Sequence, residues 1–150
     1  MLAVCAALAA GTLAACGGAE TLTKDEYSDV VATSRDRVDY ALAQITVGTG
    51  SLEELVERME AAADSIDEAA GDLDDSGIAA GFDDETADLV AAFHQLAAGL
   101  AGTAHDASQA GMEELLTGTN ALQFPAWNKA NRVLASLKDQ GISVEPIGSH

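Results

Sequence analysis

Five residues near the start of the chain, Leu13-Ala14-Ala15-Cys16-Gly17, have the types and the spacing for one specific piece of chemistry. An aliphatic residue, two small residues and a cysteine, placed at the end of an apolar stretch, form the pattern of a lipobox. The thiol of Cys16 would be acylated, palmitate being a typical chain, and the peptide bond before it cut. The acylated residue would then anchor the new N-terminus in a membrane. Met1 to Ala15 contains no charged side chain. The stretch is shorter than the roughly 20 apolar residues a bilayer span needs, so it reads as a signal peptide and not as a transmembrane helix. No Lys or Arg precedes it, and the true start is expected upstream of Met1.

The second constellation is acidic. Asp72, Asp74, Ser76 and Gly77 fall at places one, three, five and six of a twelve-residue calcium loop, with Asp83 at place twelve. A helix is expected on each side. Oxygen ligands of this kind suit a hard cation, and a lipoprotein that binds calcium or a small ligand through the turn at 72–83 is the alternative functional reading. Two departures weigh against it: Ala79 stands where a larger aliphatic residue is usual, and place twelve is Asp instead of Glu. The competing reading is a solvated loop in which Asp83 or Asp84 caps the next helix.

Phe124-Pro125-Ala126-Trp127-Asn128 combines aromatic and polar side chains. Phe124, Pro125, Trp127 and Asn128 are candidates for a partner contact, since Trp is enriched where binding energy concentrates. The alternative is a plug that caps the core at one end. His94 and His105 lie eleven residues apart, which puts them on one helix face but about 16 Å from each other, too far to share a metal. No Glu-x-x-His pair, Gly-x-Ser-x-Gly turn or Ser-x-x-Lys motif occurs. No residue set is therefore assigned to catalysis, no cofactor is expected, and the chain reads as a non-enzyme.

The elements that must position these groups are helices. Tyr27, Val30, Val31, Ser34, Val38, Leu42 and Ile45 recur at three- and four-residue steps, with Lys24, Asp25, Asp29, Asp36 and Asp39 on the opposite face. Thr23 with Glu26 and Ser51 with Glu54 are capping boxes that mark two helix starts. Leu52, Leu55, Val56, Met59, Ala63, Ile66, Ala70 and Leu73 continue the period in a second helix. A long third helix is expected from Asp83 or Asp84, carrying Leu89, Val90, Phe93, Leu96, Leu100, Ala104, Leu115 and Leu116, and ending at Gly118 to Asn120. Pro125 suits the first turn of a fourth helix, which runs through Trp127, Ala130, Val133, Leu134 and Leu137 to Gly141, a natural residue just past a helix end.

The division that follows is a signal peptide over residues 1–15, a lipidated Cys16 with a flexible linker over 16–23, a bundle over 24–141 and a tail over 142–150. The fold class is all-α: a single up-down-up-down four-helix bundle, because short connections force neighbours antiparallel. That topology puts the N-terminal end, the Asp72–Asp84 turn and the tail at one end. It puts the Val47–Gly50 turn, the Gly118–Asn120 turn and Trp127 at the other. The linker spans about 15 Å as a flexible coil, which keeps the domain close to its anchor.

The chain carries 25 acidic and 7 basic residues, a net charge of −18, and every charged side chain lies at or after Glu20. Such a surface repels nucleic acid and anionic lipid headgroups. Of the two cysteines, Cys5 lies in the segment to be removed and Cys16 is the acylation site. The mature domain is then left without a disulfide, a Cys nucleophile or a Cys-ligated metal, and must hold together by packing.

Leu22-Thr23-Lys24-Asp25-Glu26-Tyr27, after a lipobox linker, resembles the opening of the first helix in small lipoproteins of high-GC actinobacteria. Trp127-Asn128-Lys129-Ala130-Asn131, followed by Leu137 and Gly141-Ile142, resembles their closing helix. Many such proteins have a cysteine in the first helix, about where Ser34 stands here. The resemblance implies a helical fold and a lipid-anchored place at the outer face of the cytoplasmic membrane. It supplies no catalytic residue. The expected partners are the membrane, through the anchor, and an envelope protein.

Overall fold

The computed structural model describes residues 21–45, 47, 48, 50–110 and 112–149, the side chains of residues 110–124 excepted. Four helices follow one another: α1 (Lys24–Ile45), α2 (Leu52–Asp75), α3 (Asp83–Ala110) and α4 (Met112–Asp139). Each packs on the next in sequence, α1 on α2, α2 on α3 and α3 on α4. This is the all-α four-helix bundle that the apolar period predicts.

Both predicted helix starts are capped, with the box complete at Thr23 and its return bond displaced at Ser51. The Thr23 main-chain N–H donates to Glu26 Oε2 at 2.9 Å, and the Glu26 N–H donates to Thr23 Oγ1 at 3.3 Å. At α2 the Glu54 N–H donates to Ser51 Oγ at 3.1 Å, but the Glu54 carboxylate reaches the N–H of Gly50, at 3.0 Å, one residue further back than the pattern implies. These bonds favour the charged carboxylates. The Thr23 side chain and N–H hold Glu26 below its usual pKa, and the Gly50 N–H with Arg58 does the same for Glu54.

The core is continuous through the bundle. Tyr27, Val31 and Val38 of α1, Ile66 and Leu73 of α2, Leu89, Phe93, Leu96 and Leu100 of α3, and Leu134 and Leu137 of α4 are fully buried. Small residues complete α2, where Ala62, Ala63, Ala69 and Ala70 let the neighbouring backbones approach. Near the start of α1, Tyr27 stacks on Phe82 with ring centroids 5.3 Å apart, and its hydroxyl pairs with Thr86 Oγ1 at 2.6 Å. Burial raises the pKa of this phenol, against the opposing effect of the Thr86 bond.

Three expectations are corrected. The break between the third and fourth helices lies between Ala110 and Met112, not at Gly118 to Asn120. A helical glycine costs only about 1 kcal/mol, too little for propensity to choose between two glycine-bearing breaks. Breaking here gives α3 and α4 equal lengths of 28 residues, so the two antiparallel partners match. The third helix is long, as expected: at 28 residues it exceeds α1 and α2 and equals α4. Pro125 lies inside α4 and not in its first turn. It removes one ladder hydrogen bond, at a cost of about 3 kcal/mol that the packing of α4 on α3 must offset.

The third correction concerns residues 142–149. They do not trail from the bundle. Ile142, Val144 and Ile147 are buried and belong to the same core as the helices. Gly141, at φ +85°, reverses the chain after α4, and the Ile142 N–H closes the turn onto Leu137 O at 3.0 Å. The segment then runs parallel to α1, meeting Ser28, Arg35 and Asp39 in turn, and antiparallel to α4, meeting Lys138 and Asn131. It forms a strap between the first and last helices.

Candidate functional site

Cys16 lies outside the described residues. The chain enters the described domain at Leu22, six positions later in the sequence. There the Leu22 N–H donates to Ile78 O at 3.3 Å, and an isolated parallel bridge joins Leu22 to Ala79. The N-terminal end of the domain is thus tied to the α2–α3 turn, as the topology predicts. Lys24 Nζ donates to Gln140 O at the same end, and Gln140 Nε2 donates to Glu85 Oε1 at 2.7 Å.

The acidic turn does not take the form of a calcium loop. Asp72 and Asp74 are still helical, within α2. Asp72 reaches sideways to Arg37 of α1, with Oδ2 2.6 Å from Nη1. Ser76 Oγ donates to Leu73 O at 2.7 Å, which engages the hydroxyl in closing the helix. Ala79 and Phe82 turn inward, and Asp83 opens α3 with an exposed side chain. Among the described residues, no three His, Cys, Asp or Glu side chains are placed to hold one metal ion. The spacing of the carboxylates matches a loop, but the backbone that would fold them inward is a helix for the first four places.

Phe124 lies among the residues whose side chains are not described. Pro125 and Asn128 are exposed, and Trp127 is half-buried in the middle of α4, not at the far tip. Its ring lies against Gly148 of the strap, so close that a Cβ added there would stand 2.9 Å from Cζ2. His94 pairs with Asp67 of α2 at 2.7 Å, and His105 is exposed on α3.

One shallow groove of about 290 Å³ lies between α1 and α2, lined by Asp29, Val30, Thr33, Ser34, Arg37 and Asp72. Its charged walls are joined by the Arg37–Asp72 pair, which leaves little free to receive a polar ligand.

A set of buried and partly buried polar side chains surrounds the strap, and most of it escapes sequence reasoning. Ser28 Oγ accepts from the Ser143 N–H at 2.8 Å. Asn131 Oδ1 accepts from the Ile147 N–H at 2.8 Å while its amide donates to Ile147 O at 3.4 Å. Asp39 Oδ1 accepts from the Gly148 N–H at 2.8 Å. Arg35 donates to Pro146 O and to Ser149 Oγ, and lies 3.5 Å from Asp39 Oδ2. Asp39, expected on the solvent face, is 5% exposed. The available signal is Ile142-x-Val144-x-x-Ile147 after a helix-ending glycine, an apolar recurrence that no solvated tail requires.

The chain matches no family model, no curated protein and no solved structure. Among the described residues, no helix is long and apolar enough to cross a membrane.

Proposed function

We propose that this protein is a lipid-anchored lipoprotein at the outer face of the cytoplasmic membrane, whose helical bundle acts through protein or cell-envelope contacts and not as an enzyme. The observation that carries this reading is the sequence Leu13-Ala14-Ala15-Cys16-Gly17 at the boundary between an uncharged apolar stretch and a chain whose charges all follow. Two further features support it. The helical domain begins within a few residues of Cys16, and its N-terminal end is tied to the α2–α3 turn, so an anchor there leaves the opposite end free. No described helix offers another means of spanning a bilayer. A net charge of −18 disfavours both nucleic acid and direct adsorption to anionic lipid.

The test is Cys16→Ala. The wild-type protein is expected in the membrane fraction, to take up labelled palmitate and to accumulate as a precursor when lipoprotein signal cleavage is inhibited. The variant should take up no palmitate and should be released from the membrane or remain unprocessed whether or not the cleavage is inhibited. Membrane retention unchanged in Cys16→Ala would overturn the reading.

A further inference from the structure

Lysine and arginine are unevenly placed in this chain. Between Arg37 and Lys129, a stretch that holds the whole of α2 and α3, Arg58 is the only one. It is engaged internally: it donates to Gln44 O at 3.2 Å and to Val47 O, and pairs with Glu54 Oε1 at 2.7 Å, which closes the α1–α2 turn. Cations of α1 and α4 reach this face only toward its other end, Arg37 at Asp72 and Lys129 at Asp88. The outward side of α2 carries Glu53, Glu57, Glu60 and Asp64, three or four residues apart and all exposed. An apolar groove of about 370 Å³ opens beside them, between the start of α2 and the end of α3. Leu52 and Val56 line it from α2 and Ser108 from α3, with Glu53 and Glu57 at its rim. Ser108 is too short to fill the space, and the groove stays open. It lies at the end of the bundle opposite the Leu22–Ala79 bridge, the end that an anchor at Cys16 leaves free.

We propose that this groove docks a cationic segment of a partner protein, which seats a large aliphatic side chain against Leu52 and Val56 and sets Lys or Arg on either side of it against Glu53 and Glu57. Resting on the reading of the domain as one that works by contact, this assigns the contact a place and its partner a chemistry. Both halves of that chemistry are needed. A wholly apolar segment would desolvate the rim carboxylates with nothing to pair them. A wholly cationic one would be drawn to many parts of a surface with a net charge of −18 and held at none. A face without free cations steers an oppositely charged segment before contact, and burial of the aliphatic side chain then holds it. A second copy of this chain is a poor occupant, because it brings the same acidic face and like charges would meet across the groove.

The probe is a fluorescent peptide with two leucines between pairs of lysines, offered to the full chain carrying Cys16→Ala, so that binding is read apart from any anchor. Binding should saturate at one to one. Replacing the leucines by serines, at unchanged charge, should weaken it about tenfold or more. Ser108→Trp fills the groove from an exposed position and should weaken it as much, with helicity unchanged. Glu53→Gln with Glu57→Gln reads the same groove without touching its packing, and should weaken binding about threefold or more. Asp74→Asn with Asp75→Asn, an equal loss of charge at the other end of α2, should change it less than about twofold. Binding indifferent to the leucines or to Ser108→Trp, or equally sensitive to charge at both ends, would reduce the attraction to a diffuse one and overturn the proposal. So would a dimer that grows with concentration and is abolished by Ser108→Trp, since it would assign the groove to a second copy. Fractionation of Cys16→Ala tests the anchor separately, so a chain that needs Cys16 for the membrane but shows none of this binding loses the docking site and keeps the anchor.

Discussion

Two segments without regular structure, residues 76–82 and residues 142–149, invert what their compositions suggest. The α2–α3 turn is flanked by Asp72, Asp74, Asp75, Asp83 and Asp84, has the spacing of a metal loop, and presents no converging ligands. Its inward contribution is apolar, through Ala79 and Phe82. The strap has the composition of a solvated segment, yet it buries Ile142, Val144 and Ile147 and gathers Ser28, Arg35, Asp39 and Asn131 around its backbone. The contrast shows that density of charge does not make a site. Carboxylates spread along an exposed helix end are readily solvated, whereas polar groups taken out of water must find partners. Convergence of buried polar groups is the better guide to where the fold has built a specific contact.

The sharpest way to calibrate both segments is to disturb the core that neither belongs to alone. Phe93 of α3 is fully buried. Phe93→Ala should destabilise the protein by about 3–5 kcal/mol in denaturant unfolding, through lost burial and the cavity left behind. A loss below about 1 kcal/mol would mean that the bundle interior relaxes too readily for a strap contact to be distinguished from general packing.

Much of this architecture is written in the chain. Helix starts at Thr23 and Ser51 are encoded by local capping chemistry, which depends on residues three apart, and both caps form, the box at Thr23 in full. The buried faces of α1 and α2 follow from the three- and four-residue apolar steps, and Ile66, Phe93, Leu96 and Leu134 are buried as that period requires. Leu55 is only partly buried, because the face is broader than the core it covers. The misplaced break before α4 has a different origin. Gly111 and Gly118 offer similar local penalties, and the choice is made by matching α3 to α4 along their length, a tertiary term absent from local sequence. Asp39 and Asn131 are hidden for the same reason. Their types are ordinary for a helix surface, and only the return of residues 142–149 turns that surface into an interior. The acidic turn misleads in the other direction, since position in a motif is legible and backbone conformation is not.

An intermediate effect would test the strap. Asn131→Ala leaves the N–H and C=O of Ile147 without their side-chain partner at a half-buried place. The expected cost is about 1–3 kcal/mol, the penalty for an unsatisfied buried polar group, with the four helices intact by circular dichroism. Asn131→Asp should recover only the bond from the Ile147 N–H and not the one to its carbonyl, because a carboxylate cannot donate. A cost near zero for both variants would demote the clamp to an incidental contact and weaken the contrast between the two segments.

The smallest effect belongs to the acidic turn. Asp72 is exposed and its pairing with Arg37 joins α1 to α2 across the surface. Exposed pairs of this kind contribute about 0–1 kcal/mol and less at higher salt, so Asp72→Asn should shift stability by no more than about 0.5 kcal/mol. Its sign is open to the surroundings: the substitution loses one attraction but also removes one charge from a surface with a net charge of −18. Calcium should stabilise the protein weakly, and sodium chloride at matched ionic strength should reproduce the effect, because diffuse repulsion is being screened. A saturable one-to-one calcium isotherm, lost in Asp72→Ala with Asp74→Ala and matched by a stabilisation that follows one-site linkage, would reverse the comparison. It would require the end of α2 to unwind so that the first places of the loop could turn inward. The helical hydrogen bonds around Asp72 and Asp74 would have to be given up for ion coordination, and that exchange is what the titration measures.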